Sequence, residues 1–154
     1  MCRKLGLPAA AAEHTQASAA LVAQLLELLT HNAVDHTIFW RRLALSAQSG
    51  NFETTQELFL DGAAFAQWLL SYQELQRKAP LGLDANLMRN SNPAFILRNH
   101  LAELAIQQAQ RGEFTMVQEL LQVLSTPYAD HPAHSAWAGF PPEWASSIEI
   151  SCSS

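Results

Sequence analysis

The sequence predicts an all-α protein, a multi-helix unit followed by an irregular, Pro-rich C-terminal tail. Three observations carry that prediction. Leu, Phe and Trp recur at intervals of three and four residues through most of the first 126 positions, the period of a helix with one apolar face. Ser, Asp or Asn stands ahead of several of these runs and Gly behind them, as helix caps require. From Pro127 onward the composition shifts to Pro, His, Trp, Ser and Gly, and Pro141-Pro142 bars a regular helix. The helical domain is therefore placed at residues 1–126 and the tail at 127–154.

Leu21, Val22, Leu25, Leu26, Leu28 and Leu29 define a first helix over Ser18–Thr30, with Ser18 as its N-cap. Asp35 caps a second over His36–Gln48, whose apolar face carries Phe39, Trp40, Leu43 and Leu45 and whose end is marked by Gly50. Phe52 and Leu58-Phe59-Leu60 are assigned to a short connecting helix. After Asp61-Gly62, the residues Phe65, Trp68, Leu69, Tyr72 and Leu75 form one stripe of an amphipathic helix that Pro80 and Gly82 break. Asn92-Pro93 supplies a cap and a first-turn Pro for a helix over Pro93–Arg111, ended by Gly112. A last helix spans Phe114–Leu124, stopping before Pro127. In the tail, Ile148-Glu149-Ile150 alternates as a short strand would, over too few residues to decide anything.

An internal echo relates Ala47-Gln48-Ser49-Gly50-Asn51-Phe52 to Ala109-Gln110-Arg111-Gly112-Glu113-Phe114. Stacked repeat arrays need at least about three copies. The echo is read as one hairpin solution used twice, with a Gly C-cap and a Phe anchoring the turn.

Fourteen acidic against nine basic residues leave a formal charge of −5, and the cations are scattered. A phosphate-tracking basic surface is missing, so no nucleic-acid partner is expected. The stretch Ala17–Leu29 is too short and too interrupted to span a bilayer, so no membrane partner is expected either. Cys2 and Cys152 stand at opposite ends, unlike a secreted disulfide framework, and a reducing, cytoplasmic location follows.

The six glycines never cluster as a phosphate-cradling loop, and no carboxylate pair is placed to hold a metal-bound nucleotide. No catalytic residue and no cofactor-binding residue is assigned. Asp130, His131 and His134 could touch a metal, but no further ligands follow at a recognisable spacing, so a solvated loop is preferred and no metal site is assigned. His36 and His100 are read as partly buried helical residues satisfied by neighbours. Trp40 and Trp68 fall on core stripes, whereas Trp137 and Trp144 pin the tail to a surface. Cys152, in Ser151-Cys152-Ser153-Ser154, is exposed by its terminal place, yet no nearby cation lowers its pKa, and on the residues alone an inert thiol is favoured.

The run Asn92-Pro93-Ala94-Phe95-Ile96-Leu97-Arg98-Asn99-His100-Leu101, the later Pro141-Pro142-Glu143-Trp144 and the closing Ser151-Cys152-Ser153-Ser154 together resemble the C-terminus of the SelO (selenoprotein O, YdiU) family. Met1–Leu7, Val34-Asp35-His36-Thr37 and Ala64-Phe65-Ala66-Gln67-Trp68 are similar to successive segments of the same family, in order. The resemblance implies the C-terminal domain of a pseudokinase-like enzyme that uses ATP with Mg²⁺ or Mn²⁺ to transfer AMP to Ser, Thr or Tyr hydroxyls of proteins. It implies a redox, regulatory role for Cys152, since the family's C-terminal Cys pairs with a cysteine in the activation loop of the kinase-like core. Cys2 does not match that partner. The implied partners are the kinase-like core of the same enzyme and the enzyme's protein substrates. The family's Gly-rich loop, phosphate-binding cations, metal ligands and catalytic Asp all belong to the upstream core, and Met1 stands where the family has an internal methionine. A truncated frame, a split gene or an excised domain, inactive alone, is expected. A freestanding helical protein-interaction module is the alternative, and a small thiol or metal protein using Cys152 with His131 and His134 ranks behind both.

Overall fold

In the computed structural model, residues 1–7, 16–78 and 84–148 are described. They form seven α-helices and three 3-10 segments, with no strand among the described residues. The helices are α1 (Gln16–His31), α2 (His36–Ser49), α3 (Glu53–Gln56), α4 (Gly62–Lys78), α5 (Ala85–Ser91), α6 (Asn99–Ala109) and α7 (Thr115–Ser125). The 3-10 segments are Cys2–Leu5, Pro132–Ala138 and Glu143–Ser147. The chain divides into two compact units, Met1–Pro93 and Ala94–Ser154.

The first unit is organised by the stripe on α4. Phe65, Trp68 and Tyr72 recur at three and four residues and are all buried, so one face of the helix enters the core. Their rings continue a ladder: Phe59 stacks on Phe65 at 4.5 Å, Phe65 on Trp68 at 5.7 Å and Trp68 on Tyr72 at 5.1 Å. Offset stacks of this kind add to area burial. Leu21, Leu25 and Leu29 of α1 and Phe39, Trp40 and Leu43 of α2 close the core around them. The Trp68 indole donates to the Leu21 carbonyl at 2.9 Å, satisfying a polar atom that burial would otherwise strand. Asp35 caps α2 by accepting from the Ile38 amide at 2.9 Å, and Gly50 ends it at φ 78°, where a Cβ is disfavoured.

The N-terminal segment is tied to the last elements of the same unit. The Asp84 amide donates to the Gly6 carbonyl at 3.1 Å, and the Tyr72 hydroxyl donates to the Leu5 carbonyl at 2.9 Å. Asn92 is fully buried; its side chain accepts from the Lys4 ammonium at 3.1 Å and donates to the Lys4 carbonyl at 3.0 Å.

The second unit is the hairpin of α6 and α7, packed through Leu101, Ala105, Met116 and Leu120. Ala94, Phe95 and Val123 form an adjoining cluster, and Trp137 packs against both. The Ala94 and Phe95 amides donate to the Pro127 carbonyl at 2.7 and 3.2 Å.

Several sequence expectations are corrected. Ser18 is not an N-cap: α1 already includes Gln16, and Ser18 is buried on the face of Leu21 and Leu25. Leu45 is exposed rather than on the core face of α2. The connecting helix is only Glu53–Gln56; Leu58, Phe59 and Leu60 follow it, with Phe59 buried and Leu60 exposed. The Asn-rich stretch holds α5, capped by Asp84, which accepts from the Leu87 amide at 2.8 Å. The helix expected at Pro93 begins at Asn99. Pro93 holds Asn92 in an extended conformation (φ −125°, ψ 104°), the Asn92 side chain is engaged with Lys4 and cannot cap, and the next two amides are taken by Pro127. The break at Pro80 and Gly82 and the alternation at Glu149-Ile150 lie outside the described residues.

The echoed turns share a backbone. Gly50 and Gly112 have φ of 78° and 84°, and Phe52 (φ −107°, ψ 4°) and Phe114 (φ −101°, ψ 3°) each precede a helix. Phe52 packs on the core, whereas Phe114 is exposed.

Candidate functional site

The second unit gathers most of the residues singled out in the sequence. Arg98 is the N-cap of α6, in extended conformation, and His100 occupies its first turn. His100 is buried, and the Trp144 ring approaches it edge-on with centroids 6.0 Å apart. Burial, with the Arg98 guanidinium next in effect, holds the His100 imidazole below its ordinary value of 6.5. The neutral ring is therefore the favoured form. Ile96, Leu97, Pro141, Pro142 and Glu143 complete a surface cleft with Arg98 and His100. A cleft with a neutral imidazole, one cation and one carboxylate among apolar residues suits an apolar or aromatic contact better than an anion held by several donors.

His36 is exposed on α2, correcting the partly buried place expected for it. His131 places Nε2 at 3.0 Å from the Thr126 hydroxyl and 3.2 Å from the Thr126 carbonyl, and its ring meets Phe95 edge-on at 5.2 Å. His134 stacks on Trp137 at 4.2 Å. Each ring has a structural contact of its own. Among the described residues no group of three or more His, Cys, Asp or Glu side chains converges as a metal site would require. Trp40 and Trp68 are core residues; Trp137 is half-buried against the hairpin, and Trp144 is exposed while its ring edge meets His100. Cys152 lies outside the described residues. Cys2 is half-buried against the first unit's core.

One polar cluster escaped the sequence reading. Lys4, Asn92, Trp40 and Arg41 meet in the first unit: the Lys4 ammonium lies 5.5 Å from the Trp40 ring centroid, and Arg41 donates to the Arg89 and Asn92 carbonyls at 3.4 Å each. Burial lowers the Lys4 pKa below its ordinary value. Its partners are amide, carbonyl and ring, so the cluster fastens the chain and offers no acid–base pair. Lys4 and Asn92 are 88 positions apart, and no local pattern signals such a pairing. No helix among the described residues is long and apolar enough to cross a membrane.

With this geometry in place, the comparisons with known proteins are specific. The family described as protein adenylyltransferase SelO matches residues 1–125. A protein nucleotidyltransferase YdiU from Variovorax paradoxus is 48% identical over the full 154 residues, which are 30% of that protein. The corresponding protein from Albidiferax ferrireducens is 46% identical over 154 residues, 31% of its length. The Vibrio cholerae protein of the same name is 40% identical over 162 aligned residues, 32% of its length. The chain thus spans about a third of the length of the curated relatives it matches. Matched over residues 1–125 and along its whole length by such relatives, the chain belongs to the protein adenylyltransferase SelO family.

Proposed function

We infer that the chain serves as the C-terminal helical part of a SelO-type protein adenylyltransferase, which transfers AMP from ATP to Ser, Thr or Tyr hydroxyls of proteins. The observation that carries this is the match itself: relatives named protein nucleotidyltransferase align with the whole chain, which supplies only 30% of the Variovorax protein. The donor set here does not fit a metal-bound nucleotide. Its glycines form no phosphate loop, and no acidic or His cluster converges among the described residues. ATP and its Mg²⁺ or Mn²⁺ are accordingly assigned to the remainder of the enzyme, and the chain contributes structure, a docking surface and the terminal thiol.

In this reading Cys152 is the regulatory residue. Cys152 stands four positions after Ile148, so its Cα reaches at most about 14 Å from that of Ile148. A partner cysteine must have its Cα within that reach plus the roughly 6 Å of a disulfide's Cα separation. The exposed apolar residues of the second unit also accommodate the alternative, a freestanding helical module that binds another protein.

The test is AMP incorporation from labelled ATP into a protein acceptor with Mg²⁺ or Mn²⁺. The 154-residue chain should give none. The Variovorax relative carrying this chain in place of its own matching third should be active. Incorporation by the chain alone would refute the assignment, and an inactive chimera beside an active parent would favour the freestanding module.

A further inference from the structure

Helix α7 is apolar around more of its circumference than its own unit uses. Met116, Leu120 and Val123 are buried against α6 and the adjoining cluster, and Leu124 is half-buried beside them. Phe114, Val117 and Leu121 are 56%, 42% and 68% exposed. At 3.6 residues per turn these three fall within about 60° of one another, next to the buried arc rather than opposite it. Gln118, Glu119, Gln122 and Ser125 take the remaining side. The apolar arc therefore covers roughly 180°, where a helix packed on one side needs roughly 100°. The excess is a continuous strip beside a packed seam.

We propose that Phe114, Val117 and Leu121 form a docking strip for the remainder of the enzyme, the part of the relatives that this chain does not span. The proposal rests on the reading of the chain as one part of a SelO-type enzyme. Two observations choose this occupant. The family match runs through residue 125, the last residue of α7, so the whole strip lies inside the shared region. In the relatives that region is joined to a further stretch making up most of the protein. A covalently joined partner acts at an effective concentration of roughly millimolar, which favours it over a second copy at ordinary protein concentrations.

The experiment is thiol labelling. Leu121→Cys is made in the 154-residue chain and in the Variovorax relative carrying this chain in place of its matching third, with labelling by N-ethylmaleimide located by mass spectrometry. Gln122→Cys on the polar side is the control, and Val117→Cys repeats the measurement should Leu121→Cys fail to fold by circular dichroism. The expected result is labelling at position 121 at least tenfold slower in the chimera than in the chain alone, with position 122 unchanged. Equal rates at position 121 overturn the proposal. So does protection in the chain alone that grows with its concentration, which would assign the strip to a second copy. AMP incorporation by the unlabelled chimera separates the two readings: protection without activity sinks the enzymatic assignment and leaves the docking strip, and activity without protection does the reverse.

Discussion

Replacing Asn92 with Ala tests whether the pairing with Lys4 holds the first unit together. The Asn92 side chain has no exposed surface and makes one hydrogen bond to an ammonium at 3.1 Å and one to a carbonyl at 3.0 Å. A bond to a charged group is worth about 1.5–3 kcal/mol and a neutral one about 1 kcal/mol. Lys4 is only partly buried, which puts the first near the lower end. The sum is about 2.5 kcal/mol, and for a chain of this size that lowers Tm by roughly 5–10 °C. Lys4→Met removes only the ammonium and should cost about 1.5 kcal/mol. Urea unfolding followed by Trp fluorescence reports both, since Trp40 lies beneath the Lys4 ammonium. A double-mutant cycle should return a coupling of about 1.5 kcal/mol between the two side chains. An Asn92→Ala variant within 1 kcal/mol of the parent, or no coupling in the cycle, would refute the assignment of Asn92 as a tie between the two ends of the unit.

Tyr72→Phe removes the donor to the Leu5 carbonyl and leaves that buried oxygen unpaired, so it should cost about 1–3 kcal/mol in the same urea titration. Burial also raises the Tyr72 phenol above its ordinary value of 10, so ultraviolet titration of the folded protein should show one tyrosine resisting ionisation until the chain unfolds. Gly50→Ala meets open space, but φ of 78° disfavours any L side chain, and about 1 kcal/mol of stability should be lost by calorimetry. His100 is depressed below 6.5 by burial and then by Arg98, so the unfolded state binds the proton more readily. Its contribution is constant above about pH 6.5 and declines as pH falls from there through the folded-state pKa. Melting scans from pH 7.5 to 5 should show that decline in the parent and a smaller one in His100→Gln.

Where the determinants are local, the chain announces its structure. The cap at Asp35, the stop at Gly50 and the stripe of Phe65, Trp68 and Tyr72 depend on residues within a few positions of each other, and α2 and α4 formed where the pattern placed them. The misplaced start at Pro93 shows the opposite case. Asn92-Pro93 is a sound local cap, but Lys4 and Pro127, both distant in sequence, claim the groups a helix there would have used. Ser18 failed as a cap for a related reason: Ser tolerates a cap and a small buried site equally, and only packing decides between them. The echoed turns carried their backbone geometry in the sequence, yet the burial of Phe52 and the exposure of Phe114 depend on what covers each. The candidate site was legible to the same degree. The membership of the family could be read from short runs of residues, whereas the edge-on contact of His100 and Trp144 brings together residues 44 positions apart and needed the fold.

The tie between Lys4 and Asn92 also sets an order of events during synthesis. A ribosome adds roughly 5–20 residues per second, so Lys4 waits roughly 4–18 s for a partner 88 residues behind it. Throughout that interval α1, α2 and α4 can form, with α4 packing against α1 once it has emerged, but Leu5 and Leu7, wholly buried in the finished unit, lack the segment at Asp84–Asn92 that ties down this end. Closure of the unit is thus timed by the arrival of the Asn92-Pro93 dipeptide, and nascent chains stalled before it should remain open to proteases at the Cys2–Leu5 turn.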